Sequence, residues 1–154
     1  MYQRILVPVD LQEEDERLRN HALQNAVELC RFYNARLYVL TVVPDLGMPM
    51  VGDYFPQDIS SHIIREAENL LHDQVTRHLP EDIDIQHIVA QGKVYRRILK
   101  TAGQINADLI VIPAHRPTLT EYFIGSNTSR VVRYASCSVL VVRLEIDSDI
   151  VCVR

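Results

Sequence analysis

Two short apolar runs that frame a polar loop and a short helix constrain the fold of this chain more than any other feature. The runs are Leu-Ile-Val-Ile at 109–112 and Val-Leu-Val-Val at 139–142. Runs of this length and composition are typical of strands that helices cover on both faces. Between them a polar loop that ends in Gly125, Ser126 and Asn127 leads to an amphipathic segment at about 128–135, for which we expect a helix. Strand, loop, helix and strand make the crossover unit of a parallel sheet.

The loop of this unit is a candidate binding site. It leaves the carboxyl end of one strand and enters a helix at Gly125, Ser126 and Asn127. Open helix-start amides, small residues and hydroxyls at that place suit an anion, most often a phosphate. In the alternative interpretation, Ser126 and Asn127 only cap and begin the helix, without any ligand.

The remaining segments alternate between strand and helix patterns. Apolar runs at 4–9 and 36–43 predict two strands, and the alternating segment 83–90 predicts an edge strand with one wet face. Apolar residues at helical spacing predict three helices, which end near Tyr33, His78 and Gln104. The proline- and glycine-containing stretch 44–57 predicts a long loop. This order, βαβαβαβαβ, predicts an α/β fold, an open doubly wound five-stranded parallel sheet with four helices.

An edge position for 83–90 favours the strand order 3-2-1-4-5. The order reverses between the first and fourth strands, and ligands of such sheets bind at this switch point, outside the carboxyl ends of the strands. Val9 and Asp10 then lie beside residues 113–116. We expect these two sets to form one site, with capping of the loop or of the following helix as the alternative role of Asp10.

Composition excludes several classes of protein. The 154 residues, 47% hydrophobic and 23% charged, fit one globular domain. A net charge of -4 gives no basic surface from which to predict binding to nucleic acid. No apolar run approaches the ~20 residues that span a bilayer and no signal peptide precedes the first strand, so we expect a cytoplasmic protein without membrane contacts. Cys30, Cys137 and Cys152 are expected to be reduced thiols, and the histidines show no ligand spacing that indicates a metal site.

Several separated motifs resemble the universal stress protein family, and the resemblance covers essentially the whole chain. The opening I-L-V-P-V-D is similar to the family's first strand, and L-T-V-V-P is similar to its second. The segments A-H-R-P, Y-F-I-G-S-N and V-V-R-Y-A-S-C-S-V-L-V-V-R resemble the branch that contains the enterobacterial F and G proteins. The family implies a Rossmann-like, or adenine nucleotide alpha hydrolase-like, fold. We therefore expect a universal stress protein domain at 1–143, of the single-domain type, followed by an extension at 144–154.

The resemblance also implies ATP binding, with Mg²⁺ held mainly by phosphate and water. ATP-binding members carry G-x-x-G, nine residues, and then glycine followed by serine or threonine. Pro113 and Arg116 replace the first two glycines here, and eight residues separate Arg116 from Gly125. Arg116 lacks the close backbone approach of glycine, but it could place a guanidinium on phosphate oxygens. Alternatively, Arg116 pairs with Glu121 or Asp10 on the surface.

Roles for individual residues follow from the same resemblance. The nucleoside would lie against the ends of the first two strands, whose matching residues are Pro8, Val9, Asp10, Thr41, Val42 and Val43. The ribose and the phosphates would lie against the long loop and the helix start, whose matching residues are Pro113, Ala114, His115, Arg116, Gly125, Ser126 and Asn127. His115 has the alternative role of an ordinary loop histidine.

No catalytic residue follows from these motifs. The chain contains no P-loop, no G-x-S-x-G elbow and no kinase motif set, and the resemblance implies at most slow ATP hydrolysis. The leading hypothesis is a nucleotide-binding module in stress response or signalling whose output is a conformation or a choice of partner. One alternative is a nucleotide-free dimeric scaffold, which the incomplete glycine pattern supports. Another is a hydrolase or phosphotransferase that uses Asp10, His115 and Arg116.

The predicted strand 139–142 indicates how two copies of the chain would assemble. In the 3-2-1-4-5 order it lies at a sheet edge, and an apolar edge strand tends to pair with another chain. Family members pair this strand across a two-fold axis, which implies a homodimer here with Val139 and Val141 at the seam. The extension 144–154 predicts a turn and a further short strand. That strand either caps the edge within its own subunit and blocks the dimer, or crosses to the partner.

Overall fold

A five-stranded parallel sheet lies between two pairs of helices in the computed structural model, which describes residues 1–11, 16–43, 57–76, 79–114 and 125–144. The strands are β1 (Arg4–Val9), β2 (Arg36–Val43), β3 (Ile85–Gln91), β4 (Leu109–Pro113) and β5 (Ser138–Val142). The helices are α1 (Glu16–Tyr33), α2 (Gln57–Thr76), α3 (Val94–Gln104) and α4 (Ser126–Tyr134). The order β3-β2-β1-β4-β5 confirms the predicted doubly wound topology.

Alternate side chains of β1 supply the two halves of the hydrophobic core. Ile5, Val7 and Val9 lie in the half that α1 and α2 cover. Leu6 lies in the other half, with Ile98 of α3 and residues of α4. Both faces of this central strand are buried, which explains why its sequence is a continuous apolar run rather than an alternating one.

Asparagines in the left-handed conformation end two of the helices. Asn34 has φ 54° after α1, and the N–H of Ala35 donates to Cys30 O at 2.9 Å. Asn106 has φ 51° after α3, and the N–H of Ala107 donates to Ala102 O at 2.8 Å. Asparagine tolerates this conformation better than most residues, so both helices stop sharply and return the chain to the sheet.

A carboxylate ties β1 to β4 at the amino edge of the sheet. Asp108 Oδ1 accepts hydrogen bonds from the backbone N–H of Gln3 and of Arg4, each at 3.0 Å. The N–H of Asp108 donates in return to Arg4 O at 3.0 Å. The start of β4 is thereby fixed against the start of β1.

Some predicted features lie outside the described residues, namely the loop 44–56, Cys152 and the extension from 145 onward. The thiols of Cys30 and Cys137 are free, and burial raises the pKa of the Cys30 thiol to about 11, which keeps it protonated at neutral pH. None of the described helices is long and apolar enough to cross a membrane. Within the same residues, no group of three or more potential metal ligands comes together.

The turn between β3 and α3 depends on Gly92, and this generates a test of the fold. Gly92 has φ +135°, a conformation that L side chains rarely adopt, and an added Cβ would lie 2.7 Å from Arg97 Nε. We expect Gly92→Ala to lower the free energy of unfolding by about 1–3 kcal/mol, mainly through backbone strain. Gly103→Ala is the control, because Gly103 is exposed within α3 with open space around it. This control should raise stability by ~0.5–1 kcal/mol in urea unfolding. Equal stability of the two variants would contradict the described turn.

Candidate functional site

The strands β1 and β4 are paired along only part of their length. Their register joins Ile5 to Leu109 and Leu6 to Ile110, with no further pair along the described strands. In contrast, β1 pairs with β2 along all of β1, and β4 pairs with β5 along all of β4. Pro8 lies beyond the last β1–β4 pair and has no N–H to extend the ladder. A crevice therefore opens between the carboxyl ends of β1 and β4.

A cavity of about 510 Å³ lies at this crevice and brings together most of the predicted site residues. Those that line it are Pro8, Val9, Asp10, Thr41, Val42, Val43, Pro113, Gly125, Ser126 and Asn127. Ala114 is buried instead, where its N–H donates to Val142 O at 2.8 Å. His115 and Arg116 lie outside the described residues.

Two buried threonine hydroxyls hold the walls of this cavity together. Thr41 Oγ1 donates to Val9 O at 3.2 Å, which ties the end of β2 to the end of β1. Thr128 Oγ1 donates to Pro113 O at 3.2 Å, which ties the first turn of α4 to the end of β4. Each hydroxyl supplies a donor to a strand-end carbonyl whose burial would otherwise be costly. No sequence pattern indicated this role for Thr128, because its partner lies fifteen residues earlier in the chain.

The helix α4 begins earlier than the sequence indicated. Gly125 is the N-cap residue, with φ -51° and ψ 151°, and Ser126 and Asn127 already belong to the first helical turn. The predicted start at about 128 and the alternative of Ser126 as the cap are both wrong, because extended Gly125 lets the helix begin at once. No side-chain hydrogen bond caps α4 among the described residues. The first amides of a helix have no acceptor within it, and no described side chain caps those of α4, whose first residues line the cavity.

The helix α2 forms a wall of the cavity, although its sequence pattern predicted only an amphipathic helix. Its residues that line the cavity are Ile63, Glu66, Ala67 and Leu70. Together with Leu11 and Leu18, they make this side largely apolar. An apolar stripe at helical spacing looks the same whether it covers a sheet or a cavity, so the sequence contained no separate signal for this wall.

A buried arginine fixes the backbone of Asp10 at the cavity. Arg19 is 4% exposed, and its Nη1 donates to Asp10 O at 3.5 Å while its Nη2 lies 3.4 Å from Glu16 Oε1. Within the described ranges its Nε has no hydrogen-bond partner. The guanidinium thus places a positive charge close to the backbone of Asp10, which directly follows β1 and lines the cavity.

A second depression, of about 680 Å³, lies at the opposite edge of the sheet, and its charges neutralise one another. Arg31 Nη2 lies 3.0 Å from Asp82 Oδ1, and Arg36 Nη2 lies 2.6 Å from Asp84 Oδ2. The hydrogen bond from Arg31 lowers the pKa of the Asp82 carboxyl. Because these side chains satisfy each other, the cavity at the carboxyl edge is the better candidate for a ligand.

Comparison with known proteins identifies the family. The Universal stress protein family profile matches residues 1–143. The chain belongs to the universal stress protein family. Universal stress protein G of Salmonella typhimurium is 32% identical over 146 residues, which cover 93% of this chain and 100% of that protein. This similarity agrees with the motifs shared with the F and G branch.

Two solved structures extend the comparison to the fold. Universal stress protein UspA from Lactobacillus plantarum has 27% identity and a TM-score of 0.66, over 92% of this chain and 98% of that one. A universal stress protein in complex with cAMP has 26% identity and a TM-score of 0.57, over 92% of this chain and 97% of that one.

The hydroxyl of Thr128 provides a test of how the site is held. We expect Thr128→Val, which keeps the shape but leaves Pro113 O without this donor, to lower the free energy of unfolding by about 1–2 kcal/mol. Ser126→Ala removes an exposed hydroxyl in the same turn and should change stability by less than about 0.5 kcal/mol. Urea unfolding of both variants measures the difference. A Thr128→Val protein as stable as the control would show that the bond to Pro113 contributes nothing.

Proposed function

We propose that this universal stress protein binds an adenine nucleotide in the cavity between β1 and β4, and that occupancy sets its conformation or choice of partner in stress response or signalling. The observation that carries the proposal is the meeting of uncapped amides at the start of α4 with the strand ends of β1 and β2 around one cavity. The cavity volume lies within the range of about 300–1,000 Å³ that is usual for small-molecule sites. The related structure in complex with cAMP supports the same ligand class.

The nucleoside would occupy the side of the cavity formed by β1, β2 and α2. Pro8 and Val9 would form a wall, and the backbone of 41–43 would contact the edge of the base. The Thr41 hydroxyl already donates to Val9 O, so the groups left for the base at this strand end are mainly backbone groups. The Asp10 carboxylate would accept hydrogen bonds from a ribose hydroxyl or from the adenine amino group. The apolar residues of α2 would cover the ring.

The phosphates would lie at the start of α4. The hydroxyl of Ser126, the amide side chain of Asn127 and the first helix amides are all donors, and the helix dipole favours a negative charge there. Pro113 and Ala114 would lie on the ribose side of this group, with His115 and Arg116 approaching the phosphates. For ATP, Mg²⁺ would be held mainly by phosphate oxygens and water. We assign no catalytic residue and expect at most slow hydrolysis.

A nucleotide-free dimeric scaffold is the second candidate function, and the exposed edge of the sheet favours it. β5 pairs with β4, and no other described strand covers its second side. Leu140 of β5 and Val132 and Tyr134 of α4 are large apolar side chains that remain exposed. We propose a homodimer through residues 139–142, which is compatible with either function. A scaffold alone would carry no nucleotide.

Release of bound nucleotide tests the proposed function. Purified protein is denatured and the supernatant is analysed by mass spectrometry, and affinities for Mg-ATP, ADP, AMP and cAMP are then measured by calorimetry. We expect an adenine nucleotide from the native sequence, and affinity at least about tenfold lower for Gly125→Val with Ser126→Ala, a loss of roughly 1.4 kcal/mol. Asp10→Ala, which leaves the helix start intact, should also weaken binding.

The matched control for the double variant is Gly103→Val with Ser136→Ala, which makes the same substitutions at exposed positions away from the cavity. It should bind as the native sequence does. Absence of released nucleotide together with absence of binding at millimolar Mg-ATP would reject the proposal and favour the scaffold.

A further inference from the structure

The segments that contain α3 and α4 are positively charged, whereas the chain as a whole has a negative net charge. Residues 91–107 and 122–144 contain no aspartate or glutamate, although the chain has a net charge of -4. Their basic residues are Lys93, Arg96, Arg97, Lys100, Arg130, Arg133 and Arg143. The helices α3 and α4 pack side by side, which brings basic residues of the two helices close to each other. The net charge alone gave no reason to expect a basic surface, because the acidic residues of other segments outweigh it.

Three of these basic residues, Lys93, Arg96 and Arg130, surround Tyr95. We call these four residues the Arg–Tyr cluster. The guanidinium carbon of Arg130 lies 4.8 Å from the centre of the Tyr95 ring. Arg96 Nε donates to the Tyr95 hydroxyl at 3.1 Å. This hydrogen bond, followed by the charges of Arg96, Arg130 and Lys93, lowers the pKa of Tyr95. The phenol thus holds two guanidiniums in place across two different helices.

No described carboxylate neutralises the Arg–Tyr cluster. The ion pairs Arg19–Glu16, Arg31–Asp82 and Arg36–Asp84 lie away from α3 and α4. Like charges held together repel each other, and this cost falls when an anion binds between them. Guanidiniums that are already ordered lose little freedom on binding and offer paired N–H groups that match phosphate oxygens.

The Arg–Tyr cluster follows, along both helices, residues that line the cavity between β1 and β4. Val94, which lines the cavity, directly precedes Tyr95 in the first turn of α3. Arg130 follows Ser126 by four residues, so the two share a face of α4 about 6 Å apart along the helix axis. An anionic chain that starts at Ser126 and runs along α4 would therefore reach the guanidinium of Arg130 next.

We propose that the Arg–Tyr cluster is a second anion-binding site, and that the ligand of this protein carries a chain of phosphates that extends from the start of α4 to Arg130 and Arg96. The ligand class is then a nucleoside polyphosphate, since a monophosphate, cyclic or open, leaves the cluster empty. The nucleoside part of this inference rests on the proposed function. The binding of phosphate groups by the cluster does not.

Calorimetry with ATP, AMP, cAMP and inorganic tripolyphosphate at low ionic strength tests the inference. We expect ATP to bind at least about tenfold more tightly than AMP, because charge-assisted hydrogen bonds to the added phosphates form only with ATP. Arg96→Gln and Arg130→Gln should each lower the affinity for ATP about tenfold and remove most tripolyphosphate binding. The affinities for AMP and cAMP should stay within about twofold of the native values. Tyr95→Leu, which releases Arg130 from the ring, should act in the same direction with a smaller effect.

The matched control is Arg133→Gln, which removes the same charge from the same helix in its last turn, outside the Arg–Tyr cluster. It should leave ATP affinity within about twofold when the titration is repeated at about 0.15 M salt, where exposed charges more than about 8 Å apart are largely screened. An equal loss in Arg133→Gln, or an equal loss of AMP in the cluster variants, would overturn the inference.

Failure of the inference and failure of the proposed function give different results. ATP affinity unaffected by the cluster variants, with no binding of tripolyphosphate, would overturn the second anion site and leave nucleotide binding intact. Binding of tripolyphosphate that the cluster variants abolish, without binding of any nucleotide, would support the anion site and reject the nucleotide cavity.

Discussion

The incomplete pairing of β1 with β4 determines where this molecule offers a site. Asp108 fixes the two strands at their amino ends by accepting hydrogen bonds from the N–H groups of Gln3 and Arg4. Pairing then ends at Leu6 and Ile110, and the strands separate towards their carboxyl ends. A sheet tied at one edge and open at the other leaves a crevice at the point where strand order reverses. The cavity follows from this arrangement.

At the carboxyl edge of the sheet, several strand-end carbonyls accept hydrogen bonds, whereas the helix-start amides have no described side-chain cap. This difference favours the binding of anions. The last carbonyls of the strands receive donors, from Thr41 to Val9 O, from Thr128 to Pro113 O and from Gly92 N–H to Val43 O. The helices α3 and α4 begin at the same edge without a side-chain cap in the described structure. The described strand-end carbonyls therefore receive donors within the protein, whereas no described side chain caps the first amides of α3 and α4, and the nearby basic residues add positive charge. Such an edge suits a phosphorylated ligand better than a neutral one.

Sequence patterns were sufficient for the strands, for their order and for the family. The continuous apolar run of β1 and the alternation in β3 carried enough information to place one strand at the centre and the other at the edge. The start of α4 escaped prediction because Ser126 and Asn127 suit a loop as well as a first helical turn. The contact between Tyr95 and Arg130 escaped it because it joins two helices that are far apart in the chain, and net charge averages over surfaces of opposite sign.

An NMR titration of ¹⁵N-labelled protein with Mg-ATP would test the central claim most directly, which is that a nucleotide lies where β1 and β4 separate. The largest amide shifts should occur at 125–128, at Asp10 and at 41–43, all of which line the cavity. Amides beside Arg31 and Asp82, in the depression at the opposite edge, should remain unchanged. Shifts concentrated at that opposite edge, or absent at saturating nucleotide, would contradict the account.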